Sequence, residues 1–128
     1  MNELEHNKDI VRRAVEEVFN RGRMEVIDEL YSADAAPGVK AWIAPFRAAF
    51  PDVHMEVVEL IAECDKVVAH FRCSGTHEGE WRGTAPTGRR FEDVDEVYIF
   101  TVRGGRIVEA WGIEDTLARM RQLGSTLD

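Results

Sequence analysis

The chain is short of several things, and each shortage removes a class of function. It has two cysteines, Cys64 and Cys73, in no CxxC arrangement. That excludes a disulfide framework of the kind that holds small secreted domains together, and free thiols in a reducing compartment are expected. Four histidines, His6, His54, His70 and His77, are scattered without a Cys/His cluster, so no metal site is expected. Basic residues are outnumbered 16 to 24 by acidic ones, for a formal net charge of -8. Such a chain is poorly suited to nucleic acid or to an anionic membrane surface. No apolar run approaches membrane-spanning length, and no charged-then-apolar leader opens the sequence. A cytoplasmic location is the corresponding expectation. Repeats and low-complexity tracts are also missing, so residues 1–128 are expected to form one domain, long enough to bury its own core.

What is present changes character at Pro51. Before it the apolar residues follow helical spacing. Leu4, Val11, Ala14, Val15, Val18 and Phe19 predict a helix over 3–20, stopped at Asn20-Arg21-Gly22. Val26, Ile27, Leu30 and Tyr31 predict a short second helix over 24–31. Val39, Trp42, Ile43, Phe46, Ala49 and Phe50 predict a third over 38–50, with Pro45 as a potential kink and Pro51 as its end. After Pro51 the pattern alternates. Strands are expected from Val53, from Val67 to Cys73, briefly around Glu80-Trp81-Arg82, and from about Arg90 to Val102. Gly104-Gly105 marks a tight hairpin into a strand ending at Trp111. A last helix over about 115–123 is expected to bury Leu117, Met120 and Leu123. Helices followed by mainly antiparallel strands give an α+β domain in which a bent sheet and its helices enclose an apolar pocket.

Phe50-Pro51-Asp52, Gly75-Thr76-His77-Glu78-Gly79, Pro86-Thr87-Gly88-Arg89, Gly105 to Trp111, Asp115 and Gln122-Leu123-Gly124 stand in this order. Together they resemble the SnoaL-like polyketide cyclases and ester cyclases of the NTF2-like superfamily. The resemblance spans about residues 10–124. It implies a cone of curved sheet and three to four helices, usually dimeric. It also implies ring closure of a polyketide-like carbonyl substrate by intramolecular aldol condensation, with no metal or cofactor. The family's acidic catalytic residue matches Asp115. Relatives carry a His where this chain has Ala110, and the cyclases carry another near Thr101, so the resemblance supplies Asp115 with no relay partner here.

The candidate residues follow. Asp115 is placed as general acid/base at the mouth of a pocket floored by the strand that ends at Trp111; Asp is equally at home as a helix N-cap. His77 is a carbonyl-polarising or proton-relay group, or else a turn histidine bonded to backbone. Tyr98 is a hydrogen-bond donor to an enolate oxygen, or a core tyrosine. Trp42, Phe46, Trp81 and Trp111 are wall residues for a flat substrate, or plain core. Apolar residues on both sheet faces, with helices to cover only one, predict a homodimer. A binding protein of the same fold without catalysis, or a member with hydroxylation or isomerisation chemistry, is the alternative function.

Overall fold

A computed structural model describes residues 2–124. Asn2 starts the first helix, α1 (Glu3–Arg13), its side-chain oxygen accepting the Glu5 N–H at 2.9 Å. The helical path runs on to Asn20, as the periodicity predicts, but Ala14–Asn20 is wound as a π-helix. Ile10, Val11, Ala14, Val15 and Val18 form its buried stripe. Gly22 ends it at φ +70°, a left-handed conformation that suits glycine. One 3₁₀ turn (Met24–Val26) leads into α2 (Ile27–Leu30). The third helix, α3 (Ala36–Ala49), begins two residues earlier than its apolar pattern suggests, with Pro37 in the first turn where no N–H is needed. It continues through Pro45 and stops before Pro51.

Four strands follow: β1 (His54–Glu63), β2 (Lys66–Thr76), β3 (Arg90–Arg103) and β4 (Arg106–Glu114). They pair antiparallel in the order β1-β2-β3-β4. The register slips between Val57 and Glu59, between Cys73 and Gly75, and between Thr101 and Val102. Bulges of this kind bend the strands that carry them and increase local twist, and the sheet is curved accordingly. Gly104 (φ +59°) and Gly105 (φ +77°) make the β3–β4 hairpin, both central residues being left-handed as such a turn demands. The separate strand expected around Trp81 is reduced to a bridge between Trp81 and Thr84 inside a loop.

The helices lie on the concave face. Phe71, Cys73, Val94, Phe100, Val102 and Ile107 project from the sheet into the core they share with α1 and α3. The α+β cone expected from the sequence is therefore the fold. Its final helix, α4 (Thr116–Gln122), differs in one respect: Leu117 is 39 % exposed, and the inward face carries Arg119 and then Leu123. Both cysteines are free.

Candidate functional site

Between α3 and the concave face of β3 and β4 lies a cavity of about 680 Å³. That volume lies within the range of small-molecule sites. Phe19, Val39 and Trp42 form its helical side; Tyr98 and Phe100 on β3, with Ala110, Gly112 and Glu114 on β4, form its sheet side. Small residues on β4 create the space. At Gly112, directly paired with Tyr98, a Cβ would stand 2.2 Å from the Tyr98 ring, so only glycine lets that ring lie against the strand. Trp42 meets Phe19 edge-on (5.7 Å between centroids), stacks on Phe46 (5.8 Å) and faces the edge of Tyr98 (6.4 Å).

Behind this aromatic wall is a buried charged group. Arg119 is fully buried and donates to Glu96 Oε2 and to Glu114 Oε1, each at 2.5 Å. The Tyr98 hydroxyl donates to the other Glu96 oxygen at 3.0 Å. The guanidinium also lies over Phe91 (4.7 Å) and Phe46 (5.3 Å), which close its faces to water. Two carboxylates thus face one guanidinium. Burial pushes Glu96 above the usual carboxylate value; Arg119 opposes that shift and the nearby Glu114 adds to it. Burial works against the charge on Arg119, but Glu96 and Glu114 outweigh it and hold the guanidinium protonated. Burial, reinforced by Glu96, likewise raises Tyr98, which remains a neutral phenol. The network joins two cavity-lining groups, Tyr98 and Glu114, through side chains that water does not reach.

The residues singled out in the sequence are only partly gathered here. Trp42 and Tyr98 line the cavity. Phe46 stands one layer back, between Trp42 and Arg119. Trp81 packs on Phe50 (5.6 Å) in the 77–89 loop, and its neighbour Arg82 reaches the cavity instead. Trp111 does not floor the pocket: it is 56 % exposed on the convex face, paired with Ile99. The strand does supply the floor, but with the opposite alternation, through Ala110, Gly112 and Glu114. Asp115 stands between two lining residues, Glu114 and Thr116, without lining the cavity itself. It is exposed and N-caps α4, accepting the Ala118 N–H at 3.0 Å. The carboxylate at the wall is that of Glu114. His77 is fully buried against Phe50, away from the cavity lining. Its Nδ1 accepts the Thr87 N–H at 3.2 Å and lies 3.0 Å from the Thr87 hydroxyl, so the ring pins the two ends of the loop together.

Sequence reasoning missed Glu96, Glu114 and Arg119. One signal was available for Glu96, which interrupts the otherwise apolar inward series Val94, Tyr98, Phe100 and Val102 on β3. Among the described residues no group of three His, Cys, Asp or Glu is placed to hold a metal ion, and no helix is long and apolar enough to cross a membrane.

Comparison with known proteins gives a consistent answer. The family described as SnoaL-like polyketide cyclase matches residues 9–123. No curated protein matches the sequence. Among solved structures, wild-type IdmH of Streptomyces antibioticus, a proposed polyketide cyclase, is 30 % identical with a TM-score of 0.82, over 92 % of this chain and 98 % of that one. AclR of Streptomyces galilaeus, a proposed hydroxylase, is 25 % identical with a TM-score of 0.87, over 98 % of this chain and 85 % of that one. TsrD of Streptomyces laurentii shares the fold at 24 % identity and a TM-score of 0.85, over 98 % and 100 % of the two chains.

Proposed function

The chain belongs to the SnoaL-like polyketide cyclase family, and on that premise we propose that it closes a ring in a polyketide-like carbonyl substrate by an intramolecular aldol reaction, without metal or cofactor. The observation that carries this reading is the pairing of a carboxylate, Glu114, with a phenol, Tyr98, on the wall of an aromatic cavity. Aldol closure needs a base to remove a proton beside a carbonyl, a donor to hold the enolate oxygen, and an acid for the new alkoxide. Glu114 takes the proton and returns it. Tyr98 is the oxygen donor. Its hydroxyl donates to Glu96 in the free protein, and turning that hydrogen to the substrate oxygen is the step that ligand binding would have to bring about.

The family position of the acid, Asp115, stands next along the chain, with one oxygen engaged by its helix. Two variants separate the assignments: Glu114→Gln and Asp115→Asn, assayed for ring closure on partially cyclised polyketide thioesters. Loss of ~10²–10⁴ in turnover is expected for Glu114→Gln and little change for Asp115→Asn. The reverse result would move the base to Asp115. Retention of full activity by both would end the acid/base scheme. A cavity that binds such compounds but never turns them over would establish the binding-protein reading, which the tie between Glu114 and Arg119 favours, because it engages one of that carboxylate's oxygens.

The assembly we propose is a homodimer through the convex sheet face. Ile61, Val97, Ile99, Trp111 and Ile113 are 36–63 % exposed there. The register sets them side by side, Ile99 opposite Trp111 and Val97 opposite Ile113. A contiguous apolar patch on an acidic chain is the usual mark of a self-complementary interface.

A further inference from the structure

Tyr31 is unlike the other polar groups at the cavity. It ends α2, where Ser32 N–H bonds Ile107 O and Arg106 reaches back to the Tyr31 carbonyl, so its backbone is anchored against β4. The residue is 2 % exposed, yet it forms part of the cavity wall. Its hydroxyl has no hydrogen-bond partner among the described residues, and it is not one of the sealed, orphaned atoms, which are Asn7 Nδ2, His77 Nε2 and Arg119 Nε. Tyr31 lines the cavity, so a ligand held there can supply the partner that its hydroxyl lacks among the described residues. Burial also raises its pKa, so it stays a neutral donor.

Its position along the sheet matters as much. Tyr31 bridges Ile107 at one end of β4, whereas Glu114 lies at the other, seven residues on. At ~3.3 Å per residue the two backbone points stand ~23 Å apart. Between them the wall is Val39, Trp42, Phe100, Glu109 and Ala110, with Glu109 near the Tyr31 end of the strand. The cavity therefore has polar groups towards two ends, Tyr31 and Glu109 at one and Glu114 at the other, and rings between.

We propose that Tyr31 is a substrate-binding residue, its hydroxyl donating a hydrogen bond to a carbonyl or hydroxyl oxygen at the end of the ligand remote from Glu114. It rests on the proposed cyclase reading only for the nature of the ligand. The contact selects elongated, flat compounds with oxygen at both ends and holds the distal end while the other reacts. It also accounts for a buried hydroxyl that the fold itself does not use, since an apolar ring there would fill the same space.

The test compares Tyr31→Phe with the wild type, using 2,6-dihydroxyanthraquinone, with a hydroxyl at each end of its long axis, and unsubstituted anthraquinone. Binding is read by quenching of tryptophan fluorescence. Tyr31→Phe is expected to weaken the dihydroxy probe by roughly three- to tenfold, the worth of one neutral hydrogen bond, and to leave the unsubstituted probe unchanged. Its melting temperature should match the wild type, because the hydroxyl bonds none of the described residues. Gly38→Leu serves as the site control. Gly38 lines the cavity, and a Cβ there meets nothing within 4 Å, so the leucine should occupy the cavity without clash and abolish binding of both probes. Equal weakening of both probes by Tyr31→Phe, no weakening of either, a large fall in its melting temperature, binding that survives Gly38→Leu, or failure of the wild type to bind the dihydroxy probe would each overturn the assignment. Absence of ring closure by the wild type, with the Tyr31→Phe binding difference intact, would instead fault the cyclase reading alone.

Discussion

Replacing Arg119 with methionine should be among the most destabilising single changes in this chain, for reasons that can be weighed. The guanidinium is fully buried, with Glu96 2 % exposed at 2.5 Å and Glu114 at the same distance. Methionine keeps much of the apolar stem against Phe46 and Phe91 but removes the one cation that, among the described residues, faces both Glu96 and Glu114. Breaking a buried pair in this way costs ~3–5 kcal/mol, because the surviving charge is left in a poor solvent. For a chain of this length 1 kcal/mol moves the melting temperature by about 3–5 °C, so a fall of roughly 10–20 °C is expected. The loss should depend on pH. Below the ordinary carboxylate value of about 4.3 Glu96 is protonated whether folded or not, and the deficit should shrink; towards neutrality it should be largest. Adding Glu96→Leu should recover much of the loss, since removing both partners spares the stranded charge. Chemical denaturation of the single and double variants at pH 4 and pH 7 would measure all of this. A cost below about 1 kcal/mol at pH 7, or a double variant no better than Arg119→Met alone, would refute the reasoning.

Further expectations follow from the same network and from the sheet. Because burial raises Glu96, the folded state binds its proton more tightly than the unfolded chain does. Its contribution is therefore fully present below the unfolded value and is lost as pH rises through the folded one. The stability difference between wild type and Glu96→Gln, followed by urea unfolding from pH 4 upward, should decline with pH; taking the difference cancels the opposite trend from Asp52, Asp65 and Asp95, all held below their usual values. Gly112→Ala should displace the Tyr98 ring, with a cost of ~1–3 kcal/mol for overpacking; unchanged stability with the ring in place in a crystal structure would contradict it. Trp111→Lys should convert a dimer into a folded monomer in light scattering, since the dimer interface is expected to exceed ~1,000 Å² around this residue. A wild type that is itself monomeric at micromolar concentration would remove the proposed interface.

Much of the fold could be read from periodicity because its causes are local. Helical spacing before Pro51, alternation after it, Gly22 as a helix stop and Gly104-Gly105 as a two-residue turn each reflect a backbone preference carried by a few neighbouring residues. The strand character of β3 was legible for the same reason, but its inward face was not, since both faces turn apolar towards Val102. The site was not. Trp111 and Ile113 are as apolar as core residues, so their hydrophobicity alone points them inward; they lie on the convex face because the bulge at Thr101 and the pairing of Gly112 with Tyr98 set which side of β4 meets the cavity. Asp115 has the composition of both a base and a cap, and only the direction in which α4 leaves the sheet decided that its carboxylate turns to its own helix while Glu114 meets the wall. Arg119 reads as one more surface charge on a short amphipathic helix. What buries it is Glu96, 23 residues earlier and on a different element, and a charge enters a core only where its counter-charge is already held there, a condition that no local pattern records.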